Sequence, residues 1–574
     1  MKFDVWAPEA KAVDLVIGER RIALQPAGDG GHWQGEAQIS ADEGYRYSLD
    51  GGAPLPDPRS RWQRDGVHGP SYVIDPAALR SSEQGDEFRA VPLRDAIIYE
   101  LHVGTFTSEG NYRAAQHKLG HLKSLGVTHI ELLPLASFPG AHGWGYDGVD
   151  LYAPLPAYGT PRDLAEFIQA SHRTGIAVLL DVVYNHLGPD GNYLGQFAPY
   201  FTDHYKTGWG AAVNYDGPHS DEVRRFVIDN ALMWLNDYRF DGLRLDAVHA
   251  IFSFEAVHVL EELAAEVKKL AHDSNRDLVV IAESDLNDPR LVRPVSKGGL
   301  GMDAHWCDDF HHALHRFFTG ETSGYYEDFK GLEDLAKALR DGYVYQDQYS
   351  AHRKRHHGRK PHGVGPDQLV VSAQNHDQIG NRAQGERLSM LLEPQQLKAI
   401  AAILLLSRFV PMLFQGEEWG AATPFQYFTD HNDELGRLVA AGRAREFSAF
   451  KWQGEVPNPQ DPNTFLRSKL NWSELAEPAH ADLLEWHRQL IELRQSVNRS
   501  EVLRAKPVVR YDAKKNWLTF VHGAFLAVFN FAGQPQRITL PSGEWELVLA
   551  STQHTADAQQ VPAGATLVYR KRGD

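Results

Sequence analysis

Apolar and polar positions alternate in short runs through residues 1–90, as in Phe3-Val5, Val13-Leu15-Ile17 and Tyr45-Tyr47-Leu49. A period of two marks strands with one buried face. Gly and Pro clusters at Gly28 to Gly31 and Gly51 to Pro58 break the runs. The pattern predicts an all-β module, most simply a small sandwich. The polar stretch Ser81 to Glu87 predicts a linker.

From about Ala96 the pattern changes. Ile97-Ile98-Tyr99 leads into an amphipathic stretch that ends at Leu125, and Val127 to Leu133 follows. A helix is predicted over Pro161 to Thr174, then an apolar, partly β-branched run from Ile176 to Val183. Such a run suits a strand buried on both faces. A helix over Asp221 to Tyr238 precedes Gly242 to Val248, and Leu278 to Ala282, Leu369 to Ala373 and Val410 to Phe414 continue the series. Repeated strand–helix units mean a parallel sheet. This many units suit a (β/α)8 TIM barrel with long inserts better than a doubly wound sheet. No Gly-rich phosphate loop follows the first strand, which also weighs against the doubly wound fold. Short strands return after Arg504, at Val508 to Tyr511, Trp517 to His522, Leu526 to Phe529 and Leu567 to Tyr569. The expected division is 1–90, an N-terminal β-sandwich, 91–500, the barrel with inserted loops, and 501–574, a C-terminal β domain.

Barrel active sites sit at the C-terminal ends of the strands. Four predicted strands end in dense polar signatures. The third runs into Asp181-Val182-Val183-Tyr184-Asn185-His186, and the fourth reads Asp241-Gly242-Leu243-Arg244-Leu245-Asp246-Ala247-Val248-His249. The fifth ends Ile281-Ala282-Glu283, and the seventh Gln374-Asn375-His376-Asp377. Arg244 and Asp246 are two apart, so on a strand they share a face. The arginine would keep Asp246 ionised, as a nucleophile needs. Glu283 follows an apolar run, a setting that raises a carboxyl pKa and suits a general acid. Glycosidases need such an unlike pair. Asp377 is a third acidic candidate, and His186 and His376 could donate to sugar hydroxyls. Any one of these carboxylates alone could be a cap or a loop ligand. Four strand ends in order, with Arg and His companions, favour the assembled reading.

DVVYNH, DGLRLDAVH, the Glu of IAES, and NHD resemble the four signature regions of the α-amylase superfamily, in order, across roughly residues 95–500. The resemblance implies retention of configuration, with Asp246 as nucleophile, Glu283 as proton donor and Asp377 as transition-state stabiliser. FDVWAPEAKAVDLVI resembles the β-sandwich module that precedes the barrel in branching enzymes and isoamylases. YELHVGTFTSEG, ELLPLASFPGAHGWGYDGVDLYAP, CDDFHHALH, QNHDQIGNRAQGERL and LFQGEEWGAATPFQYFTDH are similar to stretches of the maltooligosyltrehalose trehalohydrolase family. Members of that family hydrolyse the α-1,4 bond next to the terminal trehalose of a maltooligosyltrehalose. The resemblance implies the same substrate here, a place in trehalose biosynthesis, and a pathway link to the synthase that makes the substrate. Physical contact with that synthase does not follow. A 1,4-α-glucan branching enzyme and a non-catalytic glucan-binding relative are the alternatives. The first shares the module order and triad, whereas the second tends to lose triad members.

Tyr146 and Asp147 lie in a glycine-flanked loop and are first choices for the cleaved subsite. For Trp144, beside them, core packing competes with sugar stacking. Arg244, His249, Gln378 and Asn381 complete the expected substrate contacts around the strand ends. The trehalose side is expected from Asp308 to His312, with Asp308, Asp309, His311 and His312 as contacts, and from Trp419 to His431. Carboxylates and imidazoles at Asp308, His311, His312 and His315 also invite a metal. Sugar binding is preferred, and neither metal nor cofactor is expected, although Asn185 occupies the position of a calcium neighbour in some superfamily amylases. Cys307 reads as a small buried thiol at a strand end. The basic run His352 to His362 reads as a solvated loop.

Charge narrows the partners. Lys plus Arg number 58 against 75 Asp plus Glu, a net charge of -17. Such a chain repels nucleic acid and anionic lipid, while a neutral substrate is compatible. Cys307 is the single cysteine, so no internal disulfide can form. The start, MKFDVWAPEA, lacks a signal-peptide apolar run, and the longest apolar stretch, Ala399 to Leu406, is too short for a bilayer. A soluble cytoplasmic protein without membrane contact is expected.

Overall fold

The computed structural model describes residues 1–79, 88–208, 210–449, 456–497, 499–505, 507–552 and 560–572. The expected linker 81–87 lies outside the described residues. The centre is a closed parallel barrel. Its strands are β1 Ile98–Leu101, β2 His129–Leu132, β3 Ala177–Val182 and β4 Gly242–Leu245. They continue as β5 Val279–Ala282, β6 Ala304–Trp306, β7 Leu369–Ser372 and β8 Val410–Phe414. β8 pairs with β1 in parallel and closes the ring, which excludes the doubly wound sheet.

Helices follow most strands. Pro161–Thr174 shows why its ends were legible. Thr160 and Asp163 form a capping box, Pro161 opens the first turn, and Gly175 closes the helix at φ 82°. The long amphipathic stretch before Leu125 is instead three short helices, Val103–Phe106, Tyr112–Gln116 and Leu119–Leu125, broken around Gly110. The sixth strand was not legible. It has three residues with His305 in the middle, so it offers no apolar run.

Strand alternation layers the lumen. Ile98, Leu179 and Ile281 pack with Trp306, Val370 and Met412 in a dry layer. Two residues further along the same faces stand Glu100, Asp181 and Glu283. Each of these strands therefore turns from apolar to charged toward its C-terminal end, and the charge gathers at one mouth.

At the N-terminus a three-stranded antiparallel sheet faces a four-stranded one. Phe3 on the first meets Tyr45 on the second with ring centroids 5.0 Å apart. A five-stranded antiparallel sheet spans Val508–Asp512 to Thr566–Lys571. Among the described residues no helix is long and apolar enough to cross a membrane.

Candidate active site

Arg244 organises the charged mouth. Its side chain is 0% exposed. Nη1 donates to both oxygens of Asp181, at 2.9 and 2.8 Å, and to Asp246 Oδ1 at 2.9 Å. Nη2 lies 3.7 Å from Glu283 Oε2. Beneath it the Trp306 ring sits 4.1 Å from Cζ. One cation thus touches three carboxyls. Asp181 stands opposite Arg244 in the β3–β4 register, and an acidic residue inside an otherwise apolar strand was the signal that could have marked it.

The backbone fixes the two carboxyls beside each other. Asp246 N donates to Val182 O, and Glu283 N to Leu245 O. Ala247 then turns left-handed, at φ 39°, a strained geometry for a non-glycine residue. The turn aims Ala247 N–H at Glu283 Oε2. Asn185 Nδ2 donates to Asp246 O at 2.9 Å and to Asp246 Oδ2 at 2.7 Å. Burial drives the Glu283 pKa well above the ordinary carboxylate range, and Asp246, Asp377 and Asp308 add to the rise against the pull of Arg244. Burial also lifts Asp308, with Asp285 and Asp377, to about 7.

A second network supports Tyr146. Its hydroxyl donates to Asp181 Oδ2 at 2.6 Å and lies 2.7 Å from His376 Nε2. The two rings stack at 5.3 Å. Glu100 takes the other ring nitrogen of His376 at 2.5 Å and its backbone N–H at 3.0 Å. These groups open into a cleft of about 600 Å³. Asp246, Glu283, Asp377, Tyr146, Asp147 and His186 line it, with His249 and Asn381. Trp144 presents an edge to the cleft, yet it is mostly packed, stacked on Phe425 at 5.3 Å and close against Gly380.

The catalytic-domain description of α-amylases ("Alpha amylase, catalytic domain") matches residues 78–207. The malto-oligosyltrehalose trehalohydrolase of Rhizobium sp. is 48% identical over 94% of this chain and 92% of its own length. That of Arthrobacter ramosus is 50% identical over 86% and 87%. The chain belongs to the malto-oligosyltrehalose trehalohydrolase family. A crystal structure of a Salmonella typhimurium protein superposes with a TM-score of 0.91 at 37% identity, covering 99% of this chain and 97% of that one. A Myxococcus xanthus 1,4-alpha-glucan branching enzyme is 32% identical over 55% of this chain and 49% of its own length.

In this trehalohydrolase-family chain several residues expected to touch substrate have partners within the fold. Asp309 is buried, and its Oδ2 accepts from Val344 N, Tyr345 N and Asn287 Nδ2, so the fold itself takes up the carboxylate. His311 is held between Ala373 O and Tyr326 OH. His312 is buried against Tyr325 and Phe329. Gln378 caps its own helix, Oε1 accepting from Asn375 N. Arg244 is buried against Asp246 and Glu283, and His376 is held by Tyr146 and Glu100. Asp308 to His312 opens the helix Asp308–Thr319. In Trp419 to His431, Trp419, Phe425 and Phe428 are core, whereas Tyr427 lines the cleft. The basic run is partly structured. Arg355–Gly358 pairs with Gln346–Ser350, and Arg353 lies 2.8 Å from Asp285. Among the described residues no cluster of three or more His, Cys, Asp or Glu could hold a metal ion.

His376 carries a pH signature. Burial opposes its charge, but Asp377 and Glu100 prevail and raise its pKa from 6.5 to about 9. A raised folded-state pKa stabilises fully below the unfolded value and is lost as pH climbs through the folded one. The denaturation midpoint should therefore contain a decline between about pH 6.5 and 9 that His376→Gln flattens. Equal slopes in both proteins would assign the decline to other groups.

Proposed function

We propose that this chain hydrolyses the α-1,4-glucosidic bond next to the terminal trehalose of a malto-oligosyltrehalose, releasing trehalose with retention. The carrying observation is the pair Asp246 and Glu283 on one guanidinium, with Glu283 driven toward its protonated form. A carboxylate nucleophile beside a protonated carboxyl is the pair that a double-displacement mechanism needs. Glu283 gives its proton to the glycosidic oxygen while Asp246 attacks the anomeric carbon, and the shortened glucan becomes a covalent ester on Asp246 as trehalose leaves. Water then attacks that carbon, Glu283 takes the water's proton, and the ester breaks. Asp377, on the rim of the same cleft, supports the cationic transition state. Tyr146 offers its ring to the sugar, held by His376 and Asp181. Family membership supplies the substrate. The pathway is trehalose biosynthesis in the cytoplasm, where the lone buried Cys307 stays reduced.

Incubating the purified chain with maltopentaosyltrehalose, and separately with amylose, tests this. Free trehalose is expected from the first and no new branches in the second. Branched amylose without trehalose would make the protein a transferase.

A further inference from the structure

The helix Asp433–Ala449 is unlike the others. Over its described side chains, 433–445, only Gly436 is buried, and Leu438 is 62% exposed. No core holds it. Leu435 and Val439, one turn apart on one face, nevertheless line the catalytic cleft. Arg443 continues that face by one more turn. Its Nη1 donates to Asn381 Oδ1 and its Nη2 to Gly380 O, each at 2.8 Å. Its guanidinium lies 4.5 Å from the centre of the Tyr427 ring. At the other end Asn432 Nδ2 donates to Asp190 Oδ2 at 2.9 Å, and Asn432 Oδ1 accepts from Leu435 N at 3.0 Å. Polar pins at its N-terminus and, within it, at Arg443 thus hold the helix across the cleft.

The side of the cleft can be named. Tyr427 packs on Trp144 at 5.1 Å, and His431, just before the helix, lies 3.4 Å from Asp147. Both place the helix on the Tyr146–Asp147 side. Tyr146 faces the sugar that becomes the ester on Asp246 in the function proposed above, and that sugar belongs to the glucan and not to the departing trehalose. Resting on the function proposed above, we infer that this helix is the wall that binds the glucan chain ahead of the cleaved bond, with Arg443 as its positioning residue. Leu435 and Val439 offer an apolar strip to the C–H faces of glucose units, and Tyr427 and Asn381 offer a ring and an amide. Arg443 bonds Asn381, stacks on Tyr427 and sets the height of the strip, all with one planar group. A lysine has no such fork.

The test compares maltotriosyltrehalose with maltohexaosyltrehalose. Wild type should favour the longer substrate through KM. Arg443→Ala should lose about tenfold in kcat/KM on the longer substrate, through KM, and under about threefold on the shorter. Arg443→Lys should behave like Arg443→Ala. The double variant Leu435→Ser/Val439→Ser should repeat the pattern, and because it removes no core contact it serves even if Arg443→Ala folds poorly. Equal losses on both substrates, no loss, or a wild type indifferent to length would overturn the inference while trehalose release still stood. Absence of trehalose from both would instead overturn the proposed function, and the inference with it.

Discussion

Glu283→Gln should lower kcat on maltopentaosyltrehalose to below about 1% of wild type, since general acid catalysis contributes at least roughly 10²-fold. The amide keeps the size of the side chain and a carbonyl oxygen to accept from Ala247 N–H, the contact Glu283 makes now. It also fixes as neutral a group that burial and three neighbouring carboxyls already keep from ionising. Thermal stability should therefore hold or rise while turnover collapses. Two further readouts separate lost acid catalysis from a distorted site. The wild-type kcat/KM should fall on the alkaline side as Glu283 loses its proton, at a pH above the ordinary carboxylate range, and that limb should vanish in the variant. A glucosyl fluoride, whose leaving group needs no proton, should still give a burst of fluoride. Loss of the burst along with the turnover would mean that the Glu283→Gln substitution had disturbed Asp246, and more than about 1% residual kcat would remove Glu283 from the role of acid.

Legibility in the sequence followed the physics of each element. β8 was readable to the residue because Val410–Phe414 is an unbroken apolar run that ends where the polar loop begins. Pro161–Thr174 was readable because its caps are local chemistry. β6 was not, because a three-residue strand gains its burial from neighbours and not from its own pattern. The site behaved likewise. Asp246, Glu283 and Asp377 all line one cleft, as strand-end positions should. Asp309, His311 and His312 were misplaced for one reason. A helix face of carboxylates and imidazoles reads the same whether it meets sugar or backbone, and only the packing of Tyr326, Val344 and Ala373 against it decides. The support that His376 gives Tyr146 was not readable, because its partner Glu100 lies far away in sequence on another strand. The chain-side wall was hidden for the opposite reason. Its helix is too exposed to carry a strong apolar stripe, and its partners Asn381, Gly380 and Tyr427 come from the segments that follow β7 and β8.

Arg244→Met should cost about 3–5 kcal/mol of stability at neutral pH, besides activity, because it leaves buried carboxylates without their cation. Met has a comparable volume and can still pack on Trp306, so the penalty comes from Asp181, Asp246 and Glu283 facing one another and not from a cavity. That origin fixes the pH dependence. Even with Arg244 present, burial raises Asp181 to about 6 and Glu283 well above its ordinary value. Without it, the folded state holds protons still more tightly than the unfolded chain does. Stability then falls as pH rises wherever the folded state binds more protons. The deficit of the variant should be largest near pH 8 and shrink toward pH 5, where the carboxyls neutralise themselves. Denaturant midpoints of both proteins at the two pH values measure it directly. A deficit of the same size at pH 5 and pH 8 would point to lost packing instead. A deficit below about 1 kcal/mol, the scale of a surface ion pair, would mean that Arg244 is not the cation on which the charged end of the barrel depends.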